Sequence, residues 1–310
     1  MKKLISILVS LIIMMSVFCS CSQNEPISEK VAILIPYGES GFPAGLKYCA
    51  EKYVSEYELE YQIFTAKNAE EQTQQIQNIT AEEYGAALLL PMGDQKSAAE
   101  SMRQKGVKLM YFINKSGDNY DAYYTLDNAT VGRTAALYLY SKRQEVGTAA
   151  TAVITVEDDA EQKQRAESFT AEAEKYPVIN LKGTYTAKKM TENSIKSTVR
   201  SALSKNSELV AIYCTDDYIA ATAMEVIKSR SRDDIEIIIG SGGKQEFLKS
   251  FEDDSRLLAT AYYSPVMIRD ALITIKAMVE GQSYNKDTVL SSHMIDKENV
   301  RQYIDINSVF

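Results

Sequence analysis

Apolar residues along this chain gather into short, mostly unbroken blocks separated by longer stretches with helical rhythm. The blocks are VAILI (31–35), YQIFT (61–65), AALLL (86–90), VKLMYFI (107–113), TAVITV (151–156), VINLKGTY (178–185), LVAIYC (209–214), IEIIIG (235–240) and LLATAYY (257–263). Each is of strand length, and several are rich in β-branched residues. Lack of polar alternation is the pattern of parallel strands covered on both faces. Between them lie helical patterns such as AEEQTQQIQNIT, SAAESMRQKG, VGRTAALYLYSKR, IKSTVRSALSK and IAATAMEVIKSR. Strand and helix in alternation predict βαβ units and a mostly parallel sheet. So many strands exceed what one open sheet comfortably holds, so two sheets are expected.

A faint internal repeat agrees with two α/β lobes. LLLPMGDQKSAAESM (88–102) aligns without a gap to VAIYCTDDYIAATAM (210–224), matching Asp94 with Asp216 and Met102 with Met224. In each, a strand end leads to an aspartate near a helix N-terminus, where its carboxylate caps free amides.

The opening residues set the compartment. Lys2 and Lys3 precede an apolar stretch, Leu4 to Phe18, that is short for a membrane span and ends in FCSCSQNEP. This resembles the lipobox of bacterial lipoproteins. The resemblance implies a signal peptide over residues 1–20, lipid on Cys21, and a tether over 21–30. Ordinary secretion and an uncleaved anchor are the alternatives; all three place the folded part outside the cytoplasm.

Composition narrows the function classes. Apolar residues make up 45% and charged residues 25%, as in soluble globular proteins. A net charge of −8 without a basic cluster argues against nucleic acid as a partner. Once Cys19 and Cys21 are set aside, Cys49 and Cys214 fall in different halves and are expected to be buried thiols. Gly38, Gly41 and Gly45 of the loop YGESGFPAGL lack dinucleotide-binding spacing, and GSGGKQ fails the P-loop pattern, so no cofactor is expected. His293 is the sole histidine, which rules out sites needing two or three and leaves it a structural role. Residues 157–159 (EDD) lack calcium-loop spacing and read as a solvated turn, and no metal site is expected. With neither a nucleophile–base pair nor a metal cluster in view, the chain does not read as an enzyme.

SGFPAGLKYCAEK after the first strand, TLDNATVGRTAALYL in the middle and AIYCTDDYIAATAMEVI in the second half resemble the type 1 periplasmic binding proteins, especially the ribose- and galactose-type solute-binding proteins of ABC transporters. The resemblance covers nearly all of the mature chain. It implies two Rossmann-like lobes with parallel sheets joined by a three-crossing hinge (periplasmic binding protein-like I), with a small ligand in the cleft. It places the first lobe over 31–126 plus 264–291 and the second over 127–263 plus 292–310. It further implies a monomeric lipoprotein that captures a sugar-like ligand for an ABC permease. The alternative is a sensory module that reports its state to a membrane kinase or chemoreceptor.

By the same resemblance, Tyr37, Glu39, Ser40 and Phe42 line the cleft from the first lobe, and Phe42 either stacks on ligand or packs inward. Ile113 and Asn114 stand where an Asp-Arg pair is common, Lys163 (with Arg165 two further on) near the second lobe's arginine, and Gly242 at a usual aspartate. Asp216 matches an asparagine, and Tyr263 a glutamine. Tyr37, Phe42, Tyr185, Tyr262 and Tyr263 would give an aromatic-rich cleft for flat rings, with Asp216 and Asp217 accepting and Asn114 and Lys163 donating hydrogen bonds. For Asp216, capping alone is the competing role.

Overall fold

The computed structural model describes residues 28–310. The leader and the lipidation at Cys21 lie outside the described residues. Ser28 and Lys30, assigned to the tether, are docked: the Ser28 hydroxyl donates to the Glu83 carbonyl (2.8 Å) and the Lys30 ammonium to the Glu83 carboxylate (3.0 Å).

The chain forms two six-stranded sheets of the same order. In the first, β1 (Val31–Pro36) is flanked by β2 (Tyr61–Ala66) on one side. On the other side come β3 (Ala86–Leu89), β4 (Lys108–Phe112), β5 (Ala122–Leu126) and β11 (Asp287–Leu290). The second repeats the plan, with β6 (Ala149–Val156) beside β7 (Ile179–Ala187) and then β8 (Ala211–Cys214), β9 (Ile237–Gly242), β10 (Leu257–Tyr262) and β12 (Met294–Asp296). Every pairing is parallel except that of β12 with β10. All nine sequence-predicted strands are present. β5, β11 and β12 escape the sequence pattern: β5 and β11 alternate in burial and so present no unbroken buried block, and β12 has only 3 residues.

Helices α1 (Gly41–Glu56), α2 (Ala69–Gln77), α3 (Lys96–Gln104), α4 (Asn128–Arg143), α5 (Ala160–Ala173), α6 (Glu192–Lys205), α7 (Asp217–Ser229), α8 (Gln245–Lys249) and α9 (Ile268–Val279) supply the crossovers. Apolar residues of β1 and β6 are fully or nearly fully buried on both sheet faces, worth about 1.5–3 kcal/mol for each large side chain. The chain passes between sheets three times: after β5, after β10, and between β11 and β12. In each sheet the order reverses beside the first strand, β1 against β3 and β6 against β8, which opens a crevice at the strands' carboxyl ends. Cys49 and Cys214 are free and buried.

Candidate functional site

Loops from both lobes meet at those strand ends around a cavity of about 480 Å³. From the first sheet, Pro36 ends β1, Leu90 follows β3, and Ile113 and Asn114 follow β4. Ile113 holds a left-handed backbone (φ 64°), a costly state for a β-branched residue. Its surroundings hold it there. Its N–H donates to the Tyr124 carbonyl (2.7 Å), while its own carbonyl accepts from Tyr123 Oη (2.9 Å) and Thr125 Oγ1 (2.7 Å). The reversal turns the chain so that Asn114 reaches the cavity wall.

The second sheet contributes a polar network centred on Arg165. This side chain is 3% exposed; its Nε donates to Asn128 Oδ1 (2.7 Å), its Nη1 to the Thr215 carbonyl (3.1 Å), and Nη2 lies 3.5 Å from Glu161. The Thr215 hydroxyl donates to Gln162 Oε1 (2.8 Å), tying the end of β8 to α5. Asp159 caps α5 through the Gln162 amide (2.9 Å). Asp216 caps α7 through the Tyr218 amide (2.7 Å) and also accepts from Lys244 Nζ (2.9 Å). It therefore performs the capping role while forming part of the cavity wall.

Lys244 is aimed by the glycine loop Gly240–Gly243. The fully buried Asp217 carboxylate takes the amides of Gly243 (2.5 Å) and Lys244 (2.9 Å) on one oxygen and the Thr260 hydroxyl (2.6 Å) on the other. Gly242 runs at φ 152°, and a methyl there would meet Asp217 at 2.8 Å, so the close approach requires glycine. Burial pushes the Asp217 carboxyl up to about 6, against the pull of its three donors.

Aromatic rings form the apolar wall. Phe42 stacks on Tyr263 with centroids 5.3 Å apart, Phe310 meets Phe42 edge-on at 5.8 Å, and the Arg165 guanidinium lies 4.3 Å above the Tyr263 ring. Of the two roles considered for Phe42, packing inward is met by its stacking on Tyr263, and the residue also lines the cavity.

Of the sequence-derived candidates, Phe42, Asn114, Asp216 and Tyr263 come together here. Tyr37, Glu39, Ser40, Lys163 and Tyr185, together with Asp217 and Tyr262, do not line the cavity. Lys163 is on the outer face of α5, its side chain 70% exposed and 3.9 Å from Glu167. Arg165 takes the inward place because Gln162, Arg165, Ala166 and Phe169 form the buried stripe, a helical spacing readable in the sequence. Tyr185 is packed beneath α6, accepting from Asn206 Nδ2 (2.6 Å). Tyr37 is 45% exposed and donates to the exposed Glu39 (3.1 Å). Ser40 occupies the N-cap of α1 and is exposed, with no cap bond from its side chain. Tyr262, although adjacent to Tyr263, faces away and stacks on His293 at 4.7 Å. The acidic turn is solvated at Glu157 and Asp158, as expected, and it also brings Asp158 and Asp159 to the cavity wall. Lys244 and Phe310 escaped the sequence reading, since only the fold carries residue 310 back to α1.

No match to the sequence was found among curated proteins. Solved structures are similar in fold. The periplasmic ribose ABC transporter protein of Conexibacter woesei aligns with a TM-score of 0.76 at 17% identity, covering 91% of this chain and 96% of its own. A periplasmic solute-binding protein of Actinobacillus succinogenes with bound D-allose gives 0.73 at 15% identity, covering 89% and 100%. The arabinose-binding component from Shewanella sp. ANA-3, with bound L-arabinofuranose, gives 0.71 at 18% identity, covering 88% and 94%. Residues 31–283 match the periplasmic binding protein domain, and with more than half of its length so matched the chain belongs to that family.

Proposed function

We propose that this protein is an extracytoplasmic lipoprotein, anchored through Cys21, that captures a neutral sugar-like molecule between its lobes for an ABC permease. The observation that carries this reading is one cavity in which aromatic rings and convergent polar groups from both lobes meet. The stacked Phe42 and Tyr263 suit the apolar face of a saturated ring, while Asn114, Asp216 and Arg165 suit its hydroxyls. Asp158, Asp159, Glu161 and Asp216 outnumber Arg165 and Lys244 around the cavity, so a phosphorylated or carboxylated ligand is disfavoured. Sugars bound by the structural neighbours support the same class. The lobe limits, 31–126 plus 264–291 against 127–263 plus 292–310, belong to this reading. Ligand favours the closed form because only that form offers both sets of contacts.

A single preparation tests it. Protein extracted from membranes of the producing cells is expected in the detergent phase, and calorimetry is expected to detect binding of at least one of D-ribose, L-arabinose, D-galactose or myo-inositol. Protein that stays in the aqueous phase refutes the anchor. Failure to bind any sugar refutes the ligand class. The altered contacts at Ile113 and Asn114 favour a sensory role as the second reading; capture of a kinase rather than a permease by the closed form would establish it.

A further inference from the structure

Residues 303–310 bridge the two lobes. Gln245 of α8 holds them to the second lobe: its Nε2 donates to the Tyr303 carbonyl (2.9 Å), its Oε1 accepts from the Asp305 amide (2.8 Å), and its own amide donates to the Phe310 carbonyl (2.9 Å). From there Asp305 reaches α1, accepting from Lys52 Nζ (2.9 Å) and Tyr48 Oη (3.2 Å). Among the described residues, Lys52–Asp305 is the only ion pair that joins the lobes as delimited above.

At the far end of this segment the Phe310 ring enters the ligand cavity between Phe42 and Lys244, whose ammonium lies 5.8 Å from the ring centroid. The helix it rests on is shaped for it. A methyl on Gly45, in the interior of α1, would meet Phe310 Cβ at 2.6 Å and Pro265 at 2.9 Å. Glycine at such a site weakens a helix relative to alanine, and here it opens the seat the ring needs. The same segment roofs a second cavity, about 760 Å³, whose wall includes Cys49. Phe310 lines both spaces.

We propose that residues 303–310 form a strap across the hinge, with the Asp305 link restraining opening and Phe310 setting the size of ligand the cleft accepts. The proposal rests on the sugar-binding reading for its ligand, but not for its restraint of opening. When the strap lifts, Cys49 loses its cover, so thiol labelling reports the strap without any ligand. Buried Cys214, inside the second sheet, serves as the internal control.

The test labels the full chain with N-ethylmaleimide and reads Cys49 and Cys214 separately by peptide mass spectrometry. Phe310→Ala and Asp305→Asn are expected to raise the Cys49 rate roughly three- to tenfold, the range for losing one aromatic or charge-assisted contact, with Cys214 unchanged. Lys52→Gln, which alters only a half-exposed side chain, repeats the comparison should either variant fold poorly. Equal Cys49 rates in wild type and all folded variants overturn the strap. In calorimetry, Phe310→Ala is expected to change the ratio of affinities between D-ribose and myo-inositol severalfold. An unchanged ratio overturns the size-setting role. If the wild type binds no sugar, the size-setting role falls with the proposed function, while the labelling result still decides the strap.

Discussion

Asp217 illustrates how one buried group positions the cleft without touching its interior. Its carboxylate gathers two loop amides and the Thr260 hydroxyl, and so fixes the loop that carries Lys244. Burial raises its folded-state value to about 6 from an ordinary 3.8. A carboxyl raised on folding takes up a proton as the chain folds, so its contribution is fully present below pH 3.8 and fades as pH climbs past 6. Carboxyls held low by their partners, such as Asp305 beside Lys52 and Asp234 beside Arg232, contribute the opposite slope, but mainly below pH 5. Between pH 5 and 7, Asp217 should therefore cost the fold about 1 kcal/mol of stability. Urea midpoints for wild type and Asp217→Asn at pH 5, 6 and 7 check this. The variant is expected to be the less stable at pH 5, having lost an acceptor, and the gap should narrow as pH rises. A constant gap would mean that Asp217 stays ionised throughout.

At the scale of elements, the strands were legible because burial on both faces leaves unbroken apolar blocks, as in β1 and β6. β11 was not, since it lies at the sheet edge with two exposed positions. The candidate site was legible where a residue directly follows a strand: Asn114, Asp216 and Tyr263 are set by strand ends. It was illegible where a helix's rotation decides, as for Lys163 against Arg165, and where distant segments meet, as for Phe310. The pairing of α4 with α5 shows what that rotation depends on. A methyl built on Gly132 of α4 would lie 2.1 Å from the Arg165 carbonyl and 2.8 Å from the Phe169 amide, both backbone atoms that cannot swing aside. Gly132→Ala should force the helices apart, costing about 1–3 kcal/mol by overpacking. It should also weaken binding of the proposed sugar ligand, because α5 carries Arg165. Urea unfolding and calorimetry on the same variant check both effects; lost stability with unchanged affinity would separate the helix contact from the site.

For the whole molecule, the question is whether two lobes with their own sheets behave as two folding units. The outer core of each is separate: Leu34, Ile76 and Tyr111 belong to one cluster, Ile212, Ile227 and Phe251 to another. The inner faces are not. One continuous apolar cluster runs from Ile33 and Ile35 of β1 through Leu126, Met267 and Ile268 at the connections to Val153, Tyr213 and Ile239 of the second sheet. Unfolding either lobe alone would expose the half of this cluster that the other retains. Exposed apolar area costs roughly 25 cal/mol per Å², so unfolding one lobe strips the other of burial that stabilises it. A single cooperative transition is therefore expected in scanning calorimetry, with calorimetric and van't Hoff enthalpies in agreement. If the proposed sugar binds, a saturating concentration should move that transition upward as one, since ligand at 100 times its dissociation constant adds about 2.7 kcal/mol to the native state. Two resolved transitions without ligand would show that the shared cluster does not couple the lobes. If they then merged on addition of sugar, the bound molecule rather than the connecting core would be what makes the halves act together.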